Sequence, residues 1–265
     1  MGSMMTDMGK GGLSVRNVSL TYGQGEKAVL ALNDVSFEVE PNAFTVIVGP
    51  SGCGKSSLLY LAAGLNTVSQ GGMLVNGHQV EGPGPDRGMV FQSYTLFPWL
   101  TVRQNVEYGP RRKGLGTAER RAISDKYLAE VGLSGFAGHY PKQLSGGMMQ
   151  RVAIARALAN DPDILLMDEP FGALDSQTRH TMQKLLLNVW QHDRKTVAFV
   201  THDIDEAILL GDRVIVMTAR PGRIKAEIPI DIPRPRDPSI ALEPEFIAMK
   251  RRILDLLRDE IDEAH

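Results

Sequence analysis

The chain has 265 residues, 43% apolar and 23% charged, with a formal net charge of −2. This composition excludes disordered and fibrous classes, allows a large core with subdomains, and argues against a nucleic-acid binder held by bulk electrostatics. The single cysteine, Cys53, excludes an internal disulfide and fits a reducing compartment.

Residues 1–12 hold no apolar run long enough for a signal peptide and read as a flexible lead-in. No stretch approaches the roughly 20 apolar residues of a membrane span, so any membrane role works through a partner. From Leu13 to Glu40 the pattern has period two: Val18, Leu20 and Tyr22 alternate with Ser19 and Thr21, and Val35, Phe37 and Val39 alternate with Ser36, Glu38 and Glu40. Gly23–Gly25 interrupts the two runs as a turn, which predicts an antiparallel sheet. Tyr22 at its end is either packing or an aromatic face on which a base stacks.

Phe44–Val48 reads as a short buried strand, followed by Gly49, Pro50, Ser51, Gly52, Cys53, Gly54, Lys55, Ser56 and Ser57 and then by a helix. This matches the phosphate-loop pattern G-x-x-x-x-G-K-[ST] at every fixed position. The glycines let consecutive backbone N–H groups wrap phosphates, and the helix N-terminus adds positive dipole. Lys55 would reach the β- and γ-phosphates, and the Ser56 hydroxyl would ligate Mg²⁺. Cys53 is either a tolerated filler or a reactive thiol whose pKa the helix N-terminus lowers.

Gly71–Asp86 is rich in Gly and Pro and predicts a hairpin and loop, and Met89–Phe91 a strand ending at Gln92. Phe91, Tyr94, Phe97 and Trp99 crowd into nine residues of a chain that is 6% aromatic, a contact surface or a small satellite core. Val102–Leu133 reads as helical, with the basic run Arg111–Lys113 as a solvated face. Ser145 stands where an N-cap belongs, and Met149, Val152, Ala153, Arg156 and Ala157 predict one lined side of a helix to about Ala159. Ile164–Met167 predicts a buried parallel strand delivering Asp168 and Glu169 at its C-terminal end. There Asp168 would hold Mg²⁺ and Glu169 would deprotonate water. Val197–Val200 places His202 at another strand end, and the other histidines read as surface residues. Val214–Met217 is expected to close the sheet, followed by a Pro-rich stretch and an amphipathic helix carrying Phe246, Ile247, Lys250, Ile253, Leu254, Leu257 and Ile261. Alternating β and α elements define an α/β class with a mainly parallel core sheet.

Over about Leu13–Asp231 these motifs resemble the nucleotide-binding subunit of an ATP-binding cassette (ABC) transporter. The most specific element is Leu144-Ser145-Gly146-Gly147, the signature separating this family from other phosphate-loop enzymes. The resemblance implies a P-loop NTPase ABC ATPase fold with an N-terminal antiparallel β-subdomain and a helical signature subdomain over about 93–160. It implies a cassette domain over 13–231 and a Pro-rich linker with a C-terminal helix over 232–265.

It further implies that Tyr22 stacks on adenine, that Gln92 couples the site to a permease and joins Ser56 and Asp168 around Mg²⁺, and that Asp175 lies in the loop between paired sites. His202 would contact the γ-phosphate. In a head-to-tail dimer, Ser145 and Gly147 of one copy, beside Gly146, would complete the site built by Lys55, Asp168 and Glu169 of the other. ATP and Mg²⁺ are the implied cofactors, and permease subunits and, through them, a solute-binding protein the implied partners, without nucleic acid. The implied location is peripheral, on the cytoplasmic face of the inner membrane. Met148 departs from the usual Gln of the signature. Phe97–Val102, Ala219–Ile224 and Ile232–Arg236 resemble importers of nitrate, sulfonates, taurine or bicarbonate. A soluble cassette ATPase acting on ribosomes or DNA, and a small-molecule kinase, are the competing classes. The first usually carries two cassettes or a long coiled-coil insertion, and the second lacks the signature and the switch histidine.

Overall fold

The structure, a computed structural model, describes residues 11–192 and 194–262. Residues 1–10 of the expected lead-in, and His265, lie outside the described residues. The elements in chain order are β1 (Leu13–Tyr22), β2 (Val29–Val39), β3 (Phe44–Val48), α1 (Lys55–Ala62), β4 (Gln70–Val75) and β5 (His78–Gln79). Next come β6 (Arg87–Val90), α2 (Val102–Val106), α3 (Tyr108–Arg112), α4 (Thr117–Glu130), α5 (Gly146–Ala159), β7 (Ile164–Asp168) and α6 (Ser176–His192). The last are β8 (Thr196–Val200), α7 (Ile204–Leu210), β9 (Arg213–Met217), β10 (Ile224–Pro229) and α8 (Pro244–Asp262). The described residues form two compact units, one within 11–84 and 194–262 and one within 85–192.

In the first unit, β2, β1, β4 and β5 form an antiparallel sheet in that order. The period-two pattern becomes its buried face: Val15 pairs with Phe37 and Val18 with Val35, all within the core. Asn76 (φ 53°) and Gly77 (φ 77°) turn β4 into β5, both in the left-handed region that a tight hairpin demands. A second group of strands centres on β3, parallel to β8 and β9. Every residue of β3 and β8 is buried, which is why both read as continuous apolar runs without alternation. Val214–Met217 does not close this group, because β10 pairs antiparallel outside β9. Only Ile228 of β10 is buried, so its sequence carries too few apolar residues to announce a strand.

In the second unit, β6 and β7 are parallel, with Val90 opposite Met167. β6 ends at Val90, one residue short of the expected Phe91. The helix α5 does not present one lined side: Gln150, Val152, Ala153, Ile154, Ala155, Ala157, Leu158 and Ala159 are all buried, while Met149 and Arg156 are only half-buried. α2, α3, α4 and β6 all pack on it. Small alanines on several faces let neighbours approach from several directions, which a single apolar stripe does not describe.

Asn105 is buried and fastens the aromatic loop, its Nδ2 donating to the carbonyls of Phe97, Leu100 and Thr101 and its Oδ1 accepting from Phe97 N–H at 2.9 Å. Part of that loop forms the expected small satellite core, and part is exposed. Phe97 packs on Tyr108 with ring centroids 4.5 Å apart, while Trp99 is 70% exposed. His139, expected on the surface, is half-buried with its ring 5.1 Å from that of Phe136. In α8, Phe246 and Ile253 are buried and Leu254 and Leu257 half-buried, whereas Ile247 is exposed and the side chain of Ile261 lies outside the description.

Candidate functional site

In the first unit, β3 feeds the glycine-rich loop directly into α1. Gly54 is the N-cap of α1 at φ 100°, and a Cβ there would stand 2.6 Å from Leu32 Cδ2, so both conformation and space require glycine. Gly52 is likewise left-handed, at φ 76°. Lys55 is buried, and its ammonium donates to the carbonyls of Gly49 (2.8 Å) and Pro50 (2.9 Å). The loop therefore curls around its own cation. Ser51 is exposed, while Ser56 and Ser57 are half-buried on the first turn of α1. Tyr22 is 44% exposed, and its hydroxyl lies 3.0 Å from Ser57 Oγ and accepts from Asn66 Nδ2 at 3.3 Å. This tether holds an exposed ring beside the loop, a geometry open to stacking. His202 is exposed just beyond β8, next to Asp203, whose side chain caps α7 by accepting from Glu206 N–H at 3.1 Å.

Of the two readings of Cys53, the geometry favours the tolerated filler over the reactive thiol. Its side chain is fully buried, and burial pushes the thiol pKa up despite Lys55 Nζ at 3.8 Å. Desolvation of the thiolate outweighs the neighbouring Lys55 charge and its hydrogen bonds.

In the second unit, Asp168 ends β7 and is 2% exposed, and Glu169 follows at φ 41°. A non-glycine residue held left-handed at a strand end is a strained position of the kind that clusters at functional sites. Gln92 Nε2 donates to Glu169 Oε2 at 3.4 Å. Ser145 is the N-cap of α5 as expected, its Oγ accepting from the backbone N–H of Met148 at 3.3 Å. Position 148 thus serves the cap through its backbone, whatever its side chain. A Cβ on Gly146 would meet Tyr94 Oη at 2.7 Å and one on Gly147 would meet Thr178 Cγ2 at 2.7 Å, so both glycines permit close packing at the start of this helix. Asp175 is exposed, and bonds from Thr178 hold its carboxyl below the usual range.

Two sets of residues make contacts that the sequence reading did not assign to them. Arg156, half-buried on α5, donates to the Thr95 carbonyl (2.8 Å) and hydroxyl (3.0 Å) and lies 5.4 Å from the Phe97 ring centre, clamping the aromatic loop. Arg220 and Gly222 contact the phosphate loop, as described below. Their only signal was a branch-like motif.

A buried parallel strand running into a glycine-cradled lysine and a helix defines a P-loop nucleotide-binding protein. A family model described as ABC transporter matches residues 32–172. An uncharacterized ABC transporter ATP-binding protein of Methanocaldococcus jannaschii is 52% identical over 94% of this chain and 92% of its own length. The nitrate import ATP-binding protein NrtD of Synechocystis sp. is 46% identical over 93% of this chain and 95% of its own. A solved structure, a dimeric post-hydrolysis state of an ATP-binding cassette bound to ADP and Pi, superposes with a TM-score of 0.74 at 37% identity, covering 83% of this chain and 99% of that one. The chain belongs to the ABC transporter family, as an ATP-binding subunit with the ABC ATPase fold. Its activity is ATP hydrolysis. No helix among the described residues is long and apolar enough to cross a membrane.

Proposed function

We propose that this subunit powers an importer of a small anion such as nitrate, a sulfonate, taurine or bicarbonate. The observation that carries the reading is the identity with a nitrate import subunit along nearly its whole length, joined by the branch-like motifs at 97–102, 219–224 and 232–236. In this reading two copies close head to tail on ATP, and Ser145 and Gly147 of each copy face the nucleotide held by the other. The similarity to a cassette solved as a dimer supports the pairing.

The donor set suits ATP with Mg²⁺. The Ser56 hydroxyl, the Asp168 carboxylate and the Gln92 amide are each a hard oxygen donor of the kind Mg²⁺ prefers, and this ion takes few protein ligands together with substrate phosphates. Bound there, the ion would neutralise charge on the β- and γ-phosphate oxygens. Lys55 turns from its loop carbonyls toward the same phosphates, and Tyr22 stacks on the adenine. Glu169 Oε accepts a proton from the attacking water, Gln92 helps to orient that water, and His202 donates to the γ-phosphate. Asp175 sits in the loop joining the paired sites. The exposed Trp99, on a loop hydrogen-bonded by Asn105 and Arg156, belongs to the face that meets permease subunits, with a solute-binding protein beyond them. The working place is the cytoplasmic face of the inner membrane.

The test is to tag the chain in its native cell, solubilise membranes gently and identify co-purifying proteins. The expected result is a multi-span permease whose reconstituted complex hydrolyses ATP faster with one of these anions and its binding protein. Recovery of ribosomal or DNA-bound partners alone would overturn the transport reading.

A further inference from the structure

The segment Thr218–Arg223, between β9 and β10, straps the phosphate loop to α8. Arg220 donates through Nε and Nη2 to the carbonyl of Gly52, each at 3.3 Å. Gly222 lies directly against the next peptide: a Cβ there would stand 2.0 Å from the Cys53 carbonyl oxygen. Gly222 is itself pinned on β2, its N–H donating to Ala31 (2.9 Å) and its carbonyl accepting from Asn33 N–H (3.0 Å). At the other end of the strap, Ala219 N–H donates to Glu260 Oε2 of α8 at 2.9 Å. Lys225 holds the second oxygen of Glu260 at 2.7 Å and also donates to the Leu256 carbonyl.

A recess of about 700 Å³, lined by Pro50, Ser51, Gly52, Arg220 and Glu260 among others, separates α8 from the phosphate loop. The strap spans this recess and gives the helix a hydrogen-bonded path to the loop. Peptide units are planar and trans, so fastening the carbonyls of Gly52 and Cys53 also sets the directions of the Cys53 and Gly54 N–H groups, which lie in the same planes and point antiparallel to those carbonyls. Backbone N–H direction is what a phosphate cradle works with.

We propose that Glu260 and Arg220 are positioning residues for the phosphate loop, joined through the strap, so that nucleotide affinity depends on a carboxylate of α8. The inference rests on the phosphate loop being the ATP site. It gives a physical role to Ala219–Arg223 and to α8 that no motif supplies.

Equilibrium dialysis of ATP with Mg²⁺ against the purified full chain tests it. Arg220→Ala and Glu260→Ala are each expected to weaken ATP binding about threefold to tenfold, the loss of one modest hydrogen-bonded link. The double variant is expected to bind no more weakly than the worse single one, because both cut the same path. Glu260→Gln keeps an acceptor for Ala219 N–H and is expected to restore most of the affinity that Glu260→Ala loses. Fully multiplicative losses, or wild-type affinity in either single variant, would overturn the strap. Lys55→Ala separates the two readings. Lost binding there with unchanged binding in Arg220→Ala removes the strap alone, whereas retained binding in Lys55→Ala removes the nucleotide site on which it rests.

Discussion

Gln92 Nε2 stands 3.4 Å from Glu169 Oε2, and the backbone of Glu169 is left-handed at φ 41°. One carboxylate is thus aimed by a strained backbone and tethered by an amide at a distance too long to bind it tightly. A base needs its carboxylate held in a fixed direction. Glu169→Gln should lower ATP turnover by roughly 10²-fold or more while leaving ATP binding intact. Single-turnover hydrolysis beside equilibrium binding would show it, and near-normal turnover would remove Glu169 from this role.

Tyr22 offers a ring and a tethering hydroxyl, and the two can be separated. Tyr22→Ala should weaken ATP affinity by about 1–3 kcal/mol through lost stacking. Tyr22→Phe keeps the ring and loses only the exposed bonds to Ser57 and Asn66, so its affinity should stay within about threefold of the parent. Equal losses in both variants would assign the effect to the tether.

Cys53 should resist alkylation in the folded chain. Burial raises its thiol pKa, so the reactive thiolate is scarcer at neutral pH than in a free cysteine, and its population rises only at more alkaline pH. Iodoacetamide labelling followed by mass spectrometry should run at least about tenfold slower than in the denatured chain at the same pH. Rapid labelling of the folded chain at neutral pH would contradict the buried placement.

Arg236 is a buried guanidinium that caps a helix. It donates to the carbonyls of Ile208 (2.9 Å), Ile230 (3.1 Å) and Ile232, and to that of Gly211 just past α7. Burial, and then the neighbouring charge of Arg234, bring its pKa down to about 10, partly offset by Asp212. Arg236→Ala would strand buried carbonyls at the end of α7 and should lower unfolding free energy by about 3 kcal/mol. Arg236→Lys should recover little of this, because an ammonium cannot reproduce the planar fork. A shift of the urea midpoint measures both, and an unchanged midpoint in Arg236→Ala would refute the capping role.

The sequence by itself determined the elements whose chemistry is local. A phosphate loop announces itself because its glycines, lysine and serine must follow one another along a single turn, and Lys55 was readable for that reason. β3, β7 and β8 were readable because a strand buried on both faces has no polar alternation to conceal it. Ser145 was readable because an N-cap bonds only three residues ahead, to Met148.

What the tertiary structure alone decided depends on partners distant in sequence. The environment of Cys53 is one case: its position at a helix start left filler and reactive thiol both open, and burial decides for the filler by outweighing the Lys55 charge. α5 is another, since a helix with neighbours on several faces loses the single stripe that periodicity seeks. β10 is a third, its pairing set by the edge of β9 rather than by its own apolar content. Arg220, Gly222 and Glu260 are the plainest. The motif around Arg220 and Gly222 named no contact, and only folding sets these residues and Glu260 in one line from α8 to the carbonyls of Gly52 and Cys53, because hydrogen bonds and steric contact act over a few ångströms of space regardless of the residues between.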